Sequence, residues 1–238
     1  MIIHEGPIKR QIFKKDIMNK LNKHRSFILF LFFCLPILVY LPFNFKWFST
    51  SLTKGGDLAA VALVNTGDGT GSAFLISPNH LITARHVVSQ LKENDIVQLI
   101  FDKSDPKIQV DAKVLFMSNK EEQDYAELEL LKPLNEHPTL LIGNIDNVSI
   151  NDETTIIGYP NGMFSSAKAQ ITNNEITDHP ENFLMAGGAW PGNSGGPIIH
   201  KETGEVVGIL IGGFEGVYKG MIVGQKINSI KNDIRFKP

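Results

Sequence analysis

The feature that most limits how this chain can fold is a succession of short apolar or alternating runs, each broken off by turn residues. Six come first: Ala60–Asn65, Ser72–Ser77, His80–Ala84, Ile96–Phe101, Lys107–Met117 and Tyr125–Leu131. A second six follow: Thr154–Gly158, Ala167–Ile176, Phe183–Ala186, Pro197–Ile199, Glu205–Ile211 and Met221–Ile227. Between them stand turn formers such as Thr66-Gly67-Asp68-Gly69, Ser77-Pro78-Asn79 and Lys201-Glu202-Thr203-Gly204. Many short runs punctuated in this way predict many short strands, hence an all-β barrel or sandwich. Pro133 and Pro138 break any strand over 132–140, which predicts a join there between the two sets. Ile227, Ile230 and Ile234 carry a helical spacing and predict a short closing helix.

Three motifs are laid over this framework. Thr83-Ala84-Arg85-His86-Val87-Val88 comes first, then Asp124-Tyr125-Ala126-Glu127-Leu128, then Gly192-Asn193-Ser194-Gly195-Gly196-Pro197. A glycine-rich loop adopts turns closed to other residues and can aim several N–H groups at one point. That point is where charge would develop if Ser194 attacked a carbonyl. A serine hydroxyl is a weak nucleophile without an adjacent base, and His86 is the candidate for it. Asp124 lies just ahead of the alternation Ala126, Leu128, Leu130 and shares its parity, whereas Asp102, Asp105 and Asp111 lie in turn-rich or exposed contexts. His4, His24, His80, His137, His179 and His200 sit in no motif and read as surface or capping residues.

In that order the motifs resemble the chymotrypsin-fold (trypsin-like) serine proteases, most nearly the bacterial HtrA/Deg-like branch, over Leu58 to Ile234. The resemblance implies two six-stranded antiparallel β-barrels, about 58–132 and 140–238, with a short C-terminal helix. It implies a Ser194–His86–Asp124 triad acting through an acyl-enzyme, and an oxyanion hole from the N–H groups of Gly192 and Ser194. It implies a specificity pocket at Gly188, Leu210, Ile211 and Gly212, uncharged and suited to small or medium apolar side chains. Extended substrate would pair with the strand near Leu210–Gly213. No cofactor and no metal is expected, and the partners are protein or peptide substrates. Gly192-Asn193-Ser194-Gly195-Gly196 also satisfies the G-x-S-x-G elbow of α/β-hydrolases, but that fold needs serine, then acid, then histidine. Asn193 stands where cleavage-activated relatives have an aspartate, so no propeptide switch is expected. Too little chain follows for the PDZ domain that HtrA proteins usually carry.

The N-terminal part has a different character. Residues 1–25 hold seven Lys/Arg and two acids, and the remainder holds sixteen against 23. A basic tail thus precedes an acidic body, with no basic patch for nucleic acid. From Ser26 to Phe45 twenty residues carry no charge, about 30 Å as a helix, the thickness of a bilayer core. Pro36 is tolerated in a membrane helix, and Trp47 and Phe48 suit the interface. No A-x-A site follows, and Phe32-Phe33 before Cys34 disfavour a lipoprotein signal. The expectation is a cytoplasmic tail over 1–25, an uncleaved transmembrane signal anchor over 26–48, a linker over 49–57 and an external protease domain over 58–238. Cys34 is the only cysteine, so no intrachain disulfide can form. Two other readings compete: a catalytically silent protease-like scaffold, and a single-span receptor with a β-rich ectodomain. The second explains the anchor but not the motifs.

Overall fold

A computed structural model describes residues 58–213 and 221–235. Twelve strands form two closed barrels, each of six. Barrel one comprises β1 (Val61–Asn65), β2 (Thr70–Ser77), β3 (His80–Thr83), β4 (Ile96–Phe101), β5 (Ile108–Met117) and β6 (Ala126–Leu130), in the order β1-β2-β3-β6-β5-β4. Barrel two comprises β7 (Glu153–Gly158), β8 (Ser165–Asn173), β9 (Asn182–Gly187), β10 (Pro197–His200), β11 (Val206–Gly213) and β12 (Ile222–Lys226), in the order β10-β11-β12-β9-β8-β7. All these pairings are antiparallel. A one-turn helix, α1 (Ile227–Lys231), follows. The helix predicted over 26–48, with its tail and linker, lies outside the described residues. Among the described residues no helix is long and apolar enough to cross a membrane.

Period-two alternation is what closes each barrel around a filled interior. Leu75, Leu81, Leu99, Phe101, Val114 and Leu128 fill barrel one. Ile156, Ile171, Phe183, Ile198 and Leu210 fill barrel two. A third apolar layer draws on both barrels and on α1, with Phe74, Ile82, Tyr125, Ile157, Ile209 and Ile230 in contact. Full burial of each such side chain contributes about 1.5–3 kcal/mol. This layer fixes the barrels against each other, so a residue from one can be aligned with a loop of the other.

One position breaks the apolar rule. Glu127 in β6 is fully buried, facing out of barrel one toward the C-terminal segment. Its carboxylate is bonded by His80, by the Tyr125 hydroxyl and, at 3.0 Å, by the Arg235 N–H. Burial raises its pKa, but these partners more than offset that and hold it below the ordinary value.

Candidate active site

His86 lies in a 3-10 turn after β3. Arg85 pins that turn by donating to the carbonyls of Ser118 and Lys120, at 2.9 and 3.1 Å. Asp124, two residues before β6, accepts from the His86 backbone N–H at 2.9 Å and from His86 Nδ1 at 2.5 Å. Two contacts from one residue fix both the place and the tautomer of the ring: Nδ1 carries the hydrogen and Nε2 is left as an acceptor. Burial raises the Asp124 carboxyl, yet the hydrogen bonds and charge of His86, with Arg85 beyond, hold it below its ordinary value. Asp124 is held in turn by barrel two, its N–H donating to Gln225 Oε1 at 2.9 Å, with Gln225 fully buried in β12.

The loop Pro191–Gly196 abuts this pair. A β-carbon on Gly195 would lie 2.2 Å from the Ser72 carbonyl and 2.9 Å from the Ala84 N, and φ there is +83°. Only glycine lets the chain pass so close to the strand that leads into His86. Ser194 itself is partly exposed. Its hydroxyl makes no hydrogen bond to a described residue, so the His86–Asp124 bond is formed and the Ser194–His86 bond is not. Such bonds tighten in many enzymes only with substrate bound.

The backbone of the loop has a definite polarity. In a trans peptide C=O and N–H point in opposite directions. The Pro191 carbonyl accepts from Asn161 N–H at 3.0 Å and the Asn193 carbonyl from Gly196 N–H at 2.9 Å. Those two peptides therefore turn the N–H groups of Gly192 and Ser194 the other way, where neither has an acceptor among the described residues. The intervening N–H groups are used: Asn193 donates to the Trp190 carbonyl and Gly195 to that of Leu210. Two unused donors, one of them on Ser194, are what a developing oxyanion requires.

Beside Ser194 opens a cavity of about 420 Å³, lined by Ala189, Trp190, Leu210, Gly212 and Met221 among others, none of them ionisable. Leu210 and Gly212 line this cavity. Gly188 and Ile211 do not line it. A β-carbon on Gly188 would lie 2.8 Å from the Trp190 ring, which occupies that place. Ile211 falls at a register shift between Leu210 and Gly212 and packs with the Ile176, Leu184 and Val223 cluster instead. Trp190 and Met221 were missed by sequence reasoning, although Trp190-Pro191 directly precedes the glycine loop. Among the described residues no group of three or more His, Cys, Asp or Glu side chains is placed to hold a metal ion.

Comparison with known proteins bears on the family and the fold. The chain is 32% identical over 160 residues to a probable periplasmic serine endoprotease, DegP-like, of Pseudomonas fulva (strain 12-X), over 62% of this chain and 31% of that protein. The chain thus spans about a third of that relative's length. Among solved structures, the inactive form of the protease Rv3671c superposes with a TM-score of 0.58 at 21% identity, over 74% of this chain and 87% of that one. The HtrA-type protease AlgW with a tripeptide superposes with a TM-score of 0.61 at 19% identity, over 77% and 61%. At such identities these structures speak for the fold. The sequence pattern of the trypsin-like peptidase domain matches residues 71–209, more than half of the chain. The chain therefore belongs to the trypsin-like peptidase family, and its two barrels form a trypsin-like serine peptidase domain.

Proposed function

We propose that this chain is a membrane-anchored serine endopeptidase that cuts exposed or unfolded protein segments outside the cytoplasm. Ser194 is the nucleophile, and His86 takes its proton through Nε2 and returns it to the leaving amine. Asp124 holds the imidazole in the useful tautomer and stabilises the imidazolium. The N–H groups of Gly192 and Ser194 receive the oxyanion, and the resulting acyl-enzyme is released by water. The observation that carries this reading is the 2.5 Å His86–Asp124 contact beside a loop with two unused N–H donors. The basic flank and uncharged run of residues 1–45 support the anchor, with the N-terminus inside. The name of the Pseudomonas relative, a periplasmic endoprotease, supports an external protease domain.

The absence of a Ser194–His86 bond favours one other reading, a protease-like scaffold without turnover. Fluorophosphonate labelling of the full chain separates the two. The first reading expects labelling and casein cleavage, both abolished in Ser194→Ala with the thermal midpoint unchanged. Cleavage that persists in that variant would overturn it, and a folded wild-type chain that neither labels nor cleaves would favour the scaffold.

A further inference from the structure

Ser72 lies in β2 of barrel one, fully buried, 120 residues from the loop it touches. Its hydroxyl donates to the Gly192 carbonyl at 2.8 Å and accepts from the Tyr159 N–H at 2.9 Å. A hydroxyl has one hydrogen. Because the Tyr159 N–H occupies an oxygen lone pair, that hydrogen is directed to Gly192. The Ser72 backbone N–H also donates to the Ser194 carbonyl at 2.8 Å, and its carbonyl accepts from Thr83 Oγ1 at 2.7 Å. One residue therefore holds the carbonyls of both residues whose N–H groups are the proposed oxyanion donors. It does so from the barrel that carries His86.

We infer that Ser72 is a positioning residue that sets the oxyanion site through the Gly192 peptide. The inference rests on the assignment of the Gly192 and Ser194 N–H groups above. Gly192 sits at φ +99°, a region in which the chain is held by its neighbours. A β-carbon there would lie 2.4 Å from the Tyr159 carbonyl, so a side chain could not supply the missing rigidity. The flanking peptides are tied by Asn161 and by Gly196. The carbonyl between them has Ser72 Oγ as its hydrogen-bond donor among the described residues. Without that donor the Gly192–Asn193 peptide is held by its N–H alone, through the Trp190 carbonyl, and can tilt about that bond; the tilt changes φ of Gly192 and so the angle at which the Gly192 N–H meets the oxyanion. The fault falls on the charged transition state and spares ground-state binding. Tyr159 starts the turn whose Asn161 holds Pro191, so the Ser72 hydroxyl also couples the two ends of the peptide pair.

The test uses the full chain in detergent with a peptide substrate of apolar character before the cut. Removing a direct oxyanion donor costs about 10²–10³-fold in kcat. Loss of the residue behind it, in Ser72→Ala, is expected to lower kcat about 10–100-fold. KM should stay within threefold, and affinity for the matching peptide aldehyde should fall in the same proportion as kcat/KM. The pH profile of kcat/KM should not move, because the His86–Asp124 pair is untouched. Ser72→Cys, close in size and a weaker donor, should fall between and carries the test if the alanine variant does not fold. Wild-type kcat in either folded variant, or a rise in KM without a fall in kcat, would overturn the inference. Ser194→Ala run alongside keeps the questions apart: turnover there sinks the functional reading itself, whereas normal turnover in Ser72→Ala with a dead Ser194→Ala sinks only the role of Ser72.

Discussion

Two histidine–carboxylate pairs lie a few residues apart on the same two strands, and they have opposite fates. His86 and Asp124 flank β3 and β6, with side chains 47% and 22% exposed. His80 and Glu127 lie within those strands, at 5% and 0%. The difference is which ring nitrogen the carboxylate takes. Asp124 takes Nδ1 of His86 and leaves Nε2 for a substrate cleft, whereas Glu127 takes Nε2 of His80 itself. Glu127 is further occupied by Tyr125 and by the Arg235 N–H. A histidine beside a carboxylate becomes a base only where one nitrogen is left over and solvent or substrate can reach it. The buried pair fails the second condition, and its carboxylate instead joins β3 and β6 to the C-terminal segment.

The sharpest way to break this comparison is to remove each histidine in turn. His86→Ala should lower turnover by about 10⁴-fold or more and leave the urea midpoint nearly unchanged. His80→Ala strands a buried carboxylate and should cost about 3–5 kcal/mol of stability, while turnover per folded molecule stays within a few-fold. Paired unfolding curves and active-site titrations check this, and a crossed outcome would mean that the roles have been exchanged.

The structural pair was only half legible in the sequence. His80 stands in no motif and reads from the sequence as a surface or capping residue, whereas its side chain is only 5% exposed. The alternation of Ala126, Leu128 and Leu130 marks one face of β6, but it says nothing of what Glu127 meets on the other. Its partner Arg235 is 108 residues away. The residues proposed as a triad stood out because three motifs follow one another in the order the resemblance carries, although the same chemistry occurs in other orders on other folds. The twelve strands were legible because barrels need short alternating runs. The pocket was less so. A bulge at Ile211 cancels the parity on which a strand reading depends. Trp190 and Met221 reach the cavity from outside any strand. Ser72 looked like one polar residue in an apolar run, since its partners come from the other barrel.

Acid probes the buried pair. The folded-state pKa of Glu127 lies below its ordinary 4.5. A depressed carboxylate contributes stability that is present above the unfolded value and lost as pH falls through the folded one. Unfolding free energy should therefore decline below about pH 4.5 as Glu127 takes up a proton. In Glu127→Gln the decline over the same range should be shallower, as urea titrations at stepped pH would register. An equal slope would show that other carboxylates govern acid unfolding.

The smallest expected effect lies in the pocket. With no ionisable lining, cleavage should follow small or medium apolar residues, and burying an unpaired charge there would cost several kcal/mol. Trp190, 58% exposed at the rim, should tune preference among Val, Ala, Leu and Met. Trp190→Ala is expected to shift the kcat/KM ratios by about tenfold at most. Cleavage-site profiling on an unfolded protein checks both statements, and predominant cutting after Arg, Lys or Glu would show that another surface receives the substrate.

The ties between the chain's last described residues and the first barrel also bear on the order in which the molecule is made. Asp124 receives Gln225, and Gln123, its neighbour, donates to the Ser229 carbonyl and to Asp233. Lys120 pairs with Asp233 at 2.6 Å, and the Arg235 guanidinium lies over Phe116. All of these partners follow β11 in the sequence and are synthesised after it. Barrel one emerges from the ribosome early, but the segment that presents the acid to His86 has its full set of partners only once residues 225–235 have been added. Final ordering of the acid thus waits on residues 225–235, long after the strands around it could have paired.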